Sequence, residues 1–268
     1  MTTVDGPVRH PKGESEESPG LAPGPYVRGL VESSVGSKVL IALTGFGLVT
    51  FVSFHLIGNL KLLSGDPSSI NKYAYFLKHD LGLLIWIARG GLLATFVLHI
   101  VLAVRLKRRA LEARPVPYVH AVSAQAGIAS RSMIWTGAVV GLFTLFHLAH
   151  FTFGLFHGVY VPTDHGLVWT PYLELKDTMD PLRHNVYEMM VAGFSNVLLA
   201  AIYLIAQVVL FVHLRHGIPS LFQTLGLKNV RFRGPIDILG LLIALTILIG
   251  NSAIVLAVQF GWVTSQYR

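Results

Sequence analysis

Five histidines stand where histidine is expensive. His55, His99, His147 and His150 fall inside long apolar runs and His213 stands at the end of one, and an ionisable group in such a run is a functional candidate by default. A neutral imidazole offers one ring nitrogen to a metal and keeps a proton on the other. The chain has twelve histidines and no cysteine, so a metal centre built from its own side chains rests on nitrogen or oxygen donors, without thiolate. Two histidines from two helices at one depth are the donor set of a b-type haem, one imidazole on each face of the porphyrin. Two such levels hold two haems and form a path for electrons across a membrane. His147 and His150 are three residues apart, as are His213 and His216, and residues at that spacing share a helix face. His150 and His216 are therefore alternative ligands or supporting partners. A histidine-ligated [2Fe–2S] centre is the other metal reading, and it needs donors from elsewhere because such centres also use thiolate. A proton-coupled transporter or channel is a reading from a different class. Against it, the apolar runs carry almost no carboxylate, only Glu188 and Asp237 at their ends.

These histidines must be positioned by the apolar runs themselves. Of 268 residues, 53% are hydrophobic and 13% charged, about half the charge of a typical soluble domain. Mean hydropathy is +0.59. Such a composition excludes a disordered chain and a disulfide-stapled secreted domain. Five runs, about 39–60, 81–104, 133–156, 189–212 and 238–260, are each long enough for a helix to cross ~30 Å of hydrocarbon. The expected fold is an all-α membrane protein, a five-transmembrane-helix bundle over 34–268, after a flexible polar leader over 1–33. No internal repeat is evident.

Basic residues set the orientation. Arg9, Lys12, Arg28 and Lys38 precede or open the first run; Arg105, Lys107, Arg108, Arg109, Arg114 and Arg131 lie between the second and third. Arg215, Lys228, Arg231 and Arg233 lie between the fourth and fifth. The opposite side has only Lys61, Lys72, Lys78, Lys176, Arg183 and Arg268. The N-terminus is therefore expected in the cytoplasm and the C-terminus outside. The net charge of +7 is explained by helix ends facing anionic lipid, without nucleic acid. In this orientation His55 and His147 or His150 lie towards the outside, and His99 and His213 towards the inside. The connection from His157 to Glu188 is long enough to be a packed cap.

Several stretches resemble the membrane-anchor (cytochrome b) subunit of succinate dehydrogenases and fumarate reductases, of the single-chain five-helix type. They are Ser37-Lys38 with Thr44-Gly45 and His55-Leu56-Ile57-Gly58-Asn59-Leu60; Ser130-Arg131-Ser132-Met133 with Thr136-Gly137 and Phe146-His147-Leu148; and His213-Leu214-Arg215-His216-Gly217 with Ser220 and Phe222-Gln223-Thr224-Leu225-Gly226. The resemblance covers about residues 34–262. It implies a bacterial cytoplasmic (inner) membrane protein that anchors a flavoprotein subunit and an iron–sulfur subunit. It further implies electron transfer to quinone, often menaquinone, through haem b, with His55 paired to His147 and His99 to His213. The chain would then be part of a succinate dehydrogenase without itself acting on succinate. Candidates for the quinone headgroup at the inner boundary are Ser34, Ser37, Lys38 and Arg131; at the outer boundary they are Lys61, Asp66, His79 and Asp80. A higher oligomer is compatible with the sequence. A hydrogenase or formate dehydrogenase anchor shares the ligand pattern but not the quoted stretches.

Overall fold

The computed structural model describes residues 29, 32–113, 128–155 and 158–267, with no side-chain description for 128–130. The leader expected over 1–33 lies almost wholly outside the described residues. Five helices are long and apolar enough to cross a membrane. They are α1 (Ser34–Asn59), α3 (Leu83–Glu112), α4 (Ile128–His147, continued by a π-turn over Leu148–Thr152), α6 (Val197–Thr224) and α7 (Arg233–Gln259). Short helices α2 (Pro67–Tyr75) and α5 (Val186–Ser195) lie between them. A two-stranded antiparallel hairpin, β1 (Gly158–Thr163) with β2 (Gly166–Pro171), completes the chain.

Local chemistry explains the boundaries. Ser33 caps α1 by accepting from the Gly36 N–H at 2.8 Å. Asp66 caps α2 through Ser68, with Pro67 at the first helical position, where proline's missing N–H goes unnoticed. The two bonds from Ser68, side chain first, hold the Asp66 carboxyl below the usual range. Asn185 and Asn196 cap α5 and α6 through the N–H groups of Glu188 and Leu199.

Three expectations are corrected. The fourth run does not span 189–212 as one helix: Asn196 adopts an extended conformation and breaks it. Met189 belongs to α5, and the spanning helix begins at Val197 and continues to Thr224. His213 is consequently well inside its helix, eleven residues from the end, rather than at a boundary. The third run stops at Thr152, where the chain turns at Gly154 with φ +61°, and Phe156 lies outside the described residues. The fold is also not purely helical, because the third connection forms the β-hairpin. Gly158 and Gly166 make it possible: a Cβ on Gly158 would sit 2.5 Å from the Thr170 carbonyl, and Gly166 has φ +110°.

Four of the spanning helices form a ring in which α1 packs on α3 and α6, and α4 packs on α6 and, more lightly, on α3. Within it α1 faces α4, and α3 faces α6, across the middle. The fifth, α7, lies outside the ring against α6 and α1. There the packing is dense: Ala244, Ile247, Ile254, Val255 and Ala257 are buried among Leu56, Ala200, Leu214 and Ile218. The ring itself is looser. Among described residues α4 buries none of its own, and α3 only Leu102.

At one end a cap closes over the bundle, as expected from the long connection. Its centre is Glu188, fully buried, which accepts from Ser265 Oγ at 2.6 Å and the Gln266 N–H at 3.0 Å. Asn71, also fully buried, donates to Asn185 and accepts from the Tyr187 N–H. Tyr187 donates to the Thr264 carbonyl, and Asn185 donates to Gln266 and Tyr267. Burial first, and then the Glu188 charge, raise the Tyr172 and Tyr187 phenols above their ordinary range. Glu188→Ala leaves the Ser265 hydroxyl and the Gln266 N–H without acceptors. It is expected to cost about 2–3 kcal/mol, read as a lowered thermal midpoint of the purified chain in detergent, with Glu188→Gln intermediate.

Candidate functional site

The histidines of the ring occupy two levels. Near the cap, His55 of α1 and His147 of α4 face each other, with ring centres 5.8 Å apart and planes at 88°. That separation is close to the ~6 Å expected for two imidazoles on opposite sides of one ion, each with a metal–nitrogen bond of ~2 Å. At the other level are His99 of α3, docked on Thr44 of α1, and His213 of α6, docked on Thr136 of α4. All four rings are only partly covered.

Each imidazole at the lower level is held by a neighbouring helix of the ring. His99 Nδ1 lies 3.0 Å from Thr44 Oγ1. The Thr44 hydroxyl already donates back to the Leu40 carbonyl at 2.7 Å. A hydroxyl has one proton, so towards His99 it accepts, and the proton of His99 is on Nδ1. Thr136 repeats the arrangement: it donates to the Ser132 and Met133 carbonyls and lies 3.2 Å from His213 Nδ1. Both histidines therefore keep a lone pair on Nε2. A fixed Nδ1–H and a free Nε2 are what metal-ligating histidines show in general.

Glycine makes the close approach possible. A Cβ on Gly45 would meet His99 Cε1 at 3.4 Å, and one on Gly137 would meet His213 Cε1 at 3.3 Å. Each threonine–glycine pair is thus one device, a hydroxyl that accepts from the imidazole and a bare backbone on which it lies.

The two devices expose an internal repeat that the sequence reading missed. Thr44-Gly45 precedes Phe54-His55-Leu56 by the same interval as Thr136-Gly137 precedes Phe146-His147-Leu148. In each half the next spanning helix supplies the histidine that docks on the threonine. The threonine lies eleven residues before the histidine of its own helix, so the two levels are about 16 Å apart along the helix axis.

The remaining candidates fall into place around this frame. His150 is fully buried beside the π-turn and packs on Phe151, Tyr172 and Tyr203, with Gly193 against its edge. His216 is half-buried, three residues beyond His213 on α6. Ser37 is buried, whereas Ser34, Lys38 and Arg131 are exposed. At the cap end Lys61 lies over the Tyr73 ring, His79 stacks on Tyr75, and Asp66 serves as a helix cap; Asp80 is exposed. Glu188 belongs to the cap, and Asp237 pairs with Lys228 at 2.6 Å, so neither carboxylate lines the ring. Among the described residues no three of His, Cys, Asp and Glu converge as a metal cluster; the histidines meet in twos.

No family model, curated protein or solved structure matches this chain. The functional reading therefore rests on the residues themselves. Two levels of imidazoles on facing helices fit a bis-imidazole haem, and at the His99/His213 level Nε2 is freed by a bond at Nδ1 and glycine stands where each ring lies. Sequence reasoning had quoted Thr44 and Thr136 without a role and had missed Tyr203 altogether. The repeated spacing was the available signal for the threonines; for Tyr203 there was none.

The absence of native cysteine gives a clean check of this geometry. Thr44→Cys with His99→Cys, and Thr136→Cys with His213→Cys, are expected to cross-link on mild oxidation. Fragments cut in the intervening connection should then stay joined until reduced. In the chain with its native histidines, Gly45→Val and Gly137→Val are each expected to displace the ring lying there, His99 or His213, read as a shift of that histidine's ¹⁵N resonances.

Proposed function

We propose that this chain is the multi-pass membrane-anchor subunit of a succinate:quinone oxidoreductase. It resides in a bacterial cytoplasmic membrane with its N-terminus in the cytoplasm. The observation that carries the reading is the meeting of four histidines from four helices in two cross-ring pairs, on two levels of one repeat. The family resemblance of the quoted stretches supplies the identity of the complex.

In this reading His55 with His147, and His99 with His213, each hold one haem b. A bound haem supplies a one-electron carrier. The chain's own residues do the rest. Thr44 and Thr136 fix the rotation of the lower imidazoles and keep their protons on Nδ1, away from the liganding nitrogen. The apolar faces of the ring exclude water, which favours a low-reorganisation site for a change of charge. The basic residues at the end opposite the cap, Lys38, Arg105, Arg131 and Arg215 among them, receive the iron–sulfur and flavoprotein subunits. They attract the acidic and anionic groups found there. Ser34, Ser37, Lys38 and Arg131 lie near this boundary, where a quinone headgroup needs hydrogen-bond donors and a source of protons.

The test is purification of the chain from native membranes with its bound partners. The expected result is a flavoprotein and an iron–sulfur subunit in the same particle, and a haem b α-band on reduction, with two haems per chain. His99→Ala or His213→Ala is expected to remove the lower haem, and His55→Ala or His147→Ala the other, each halving the haem content. Iron and acid-labile sulfide beyond those of the soluble subunits, with no haem, would overturn the haem assignment. A particle without a flavoprotein would overturn the assignment of the complex.

A further inference from the structure

Tyr203 stands between two histidines. It lies on α6, is 4% exposed, and its hydroxyl is 3.2 Å from His147 Nδ1 and 2.9 Å from His150 Nδ1. These two nitrogens are its hydrogen-bond partners. Its ring is clamped edge-on by Phe143 and Phe194 at 5.1 and 5.0 Å, so the hydroxyl has little freedom to seek another. The π-turn that begins at Leu148 widens the helix just after His147 and carries His150 to the same oxygen.

A phenol hydroxyl has one proton to give and two lone pairs with which to accept. In a buried site that proton must find an acceptor. One imidazole therefore receives it at Nδ1, and that ring, if neutral, keeps its own proton on Nε2. The other imidazole donates its Nδ1–H to the phenol oxygen and keeps a lone pair on Nε2. The two histidines are forced into opposite tautomers. The facing pair chooses between them. In the haem reading His147, the ring that faces His55, presents its Nε2 lone pair, so it donates its Nδ1–H to the phenol and the phenol donates to His150.

We infer that Tyr203 is a positioning residue that selects His147, rather than His150, as the metal-binding histidine of the cap-end level. His147 is left with the lone pair of Nε2, and it is also the ring that faces His55. His150 is left with an Nε2–H, which cannot bind a metal without losing a proton. The duplicated histidine is thereby resolved into one ligand and one hydrogen-bonding partner. At the lower level Thr44 and Thr136 do for His99 and His213 what Tyr203 does here, with the proton of the hydroxyl sent to a ring instead of a backbone carbonyl. This inference rests on the reading of the histidine pairs as haem ligands, and its test separates the two.

The first experiment compares the purified wild-type complex with Tyr203→Phe. The variant should replace the single low-spin signal of the cap-end centre by two species, ligated through His147 and through His150. It should also raise that centre's midpoint potential, because a ligand that no longer donates at Nδ1 is a weaker base. The His99/His213 centre should be unchanged. An unchanged cap-end spectrum and potential would overturn the inference while leaving the haem reading intact. The second measurement needs no variant and holds if Tyr203→Phe does not accumulate. ¹⁵N spectra of the histidine-labelled, reduced full chain in lipid should show His147 protonated at Nδ1 and His150 at Nε2. The reverse assignment, or the same tautomer for both, would overturn the selection. A wild-type chain without haem would overturn the proposed function, and the tautomers would then decide the role of Tyr203 by themselves.

Discussion

A single proton on a side-chain hydroxyl governs the chemistry of this bundle. In an apolar interior an imidazole has two nitrogens of equal standing until a neighbour distinguishes them. Thr44 and Thr136 do so because each has already committed its proton to its own helix, leaving only an accepting face for the ring opposite. Tyr203 lies between two ring nitrogens, and its proton goes to one of them. The same rule of one proton per hydroxyl thus gives three histidines a defined basic nitrogen. It does so in a region where a charged or misoriented imidazole would be costly.

The helices exist to bring these hydroxyls and rings together. Packing is densest between α6, α7, α1 and the cap. That side supplies the rigidity. The ring of α1, α3, α4 and α6 is left with partly covered imidazoles and glycines at the points of close approach. A tightly packed wall thus stands beside a ring of partly covered side chains.

The spans were largely legible from apolar length, because nothing else accommodates 20 such residues in succession. The break at Asn196 was not, since Met189 to Val212 is uniformly apolar and one extended residue leaves no mark in hydropathy. The hairpin was hidden in a connection whose role as a cap was legible from length, but whose strands are only six residues each. At the site, the histidines announced themselves by cost. Thr44 and Thr136 did not, because threonine in an apolar helix is ordinary and bonds its own backbone. Their spacing to Phe54-His55-Leu56 and Phe146-His147-Leu148 was in plain view, but its meaning appears only when His99 and His213 are seen docked on them. Tyr203 could not have been found, since its significance lies in contacts more than fifty residues distant.

The cap has a consequence for how the protein is made. Glu188 is made with α5, yet its partners Ser265 and Gln266 follow only after α6 and α7. Between those events α6 and α7 must both be inserted. Throughout that interval a carboxylate, an asparagine and a tyrosine wait at the bundle end with their final partners not yet synthesised. Residues 264–267 then act as a latch. A protein in which α7 has inserted the wrong way cannot bring them to the cap, and it keeps an open polar seam that quality-control proteases can recognise. The closing bonds of the fold therefore also report that every preceding helix has crossed in its proper direction.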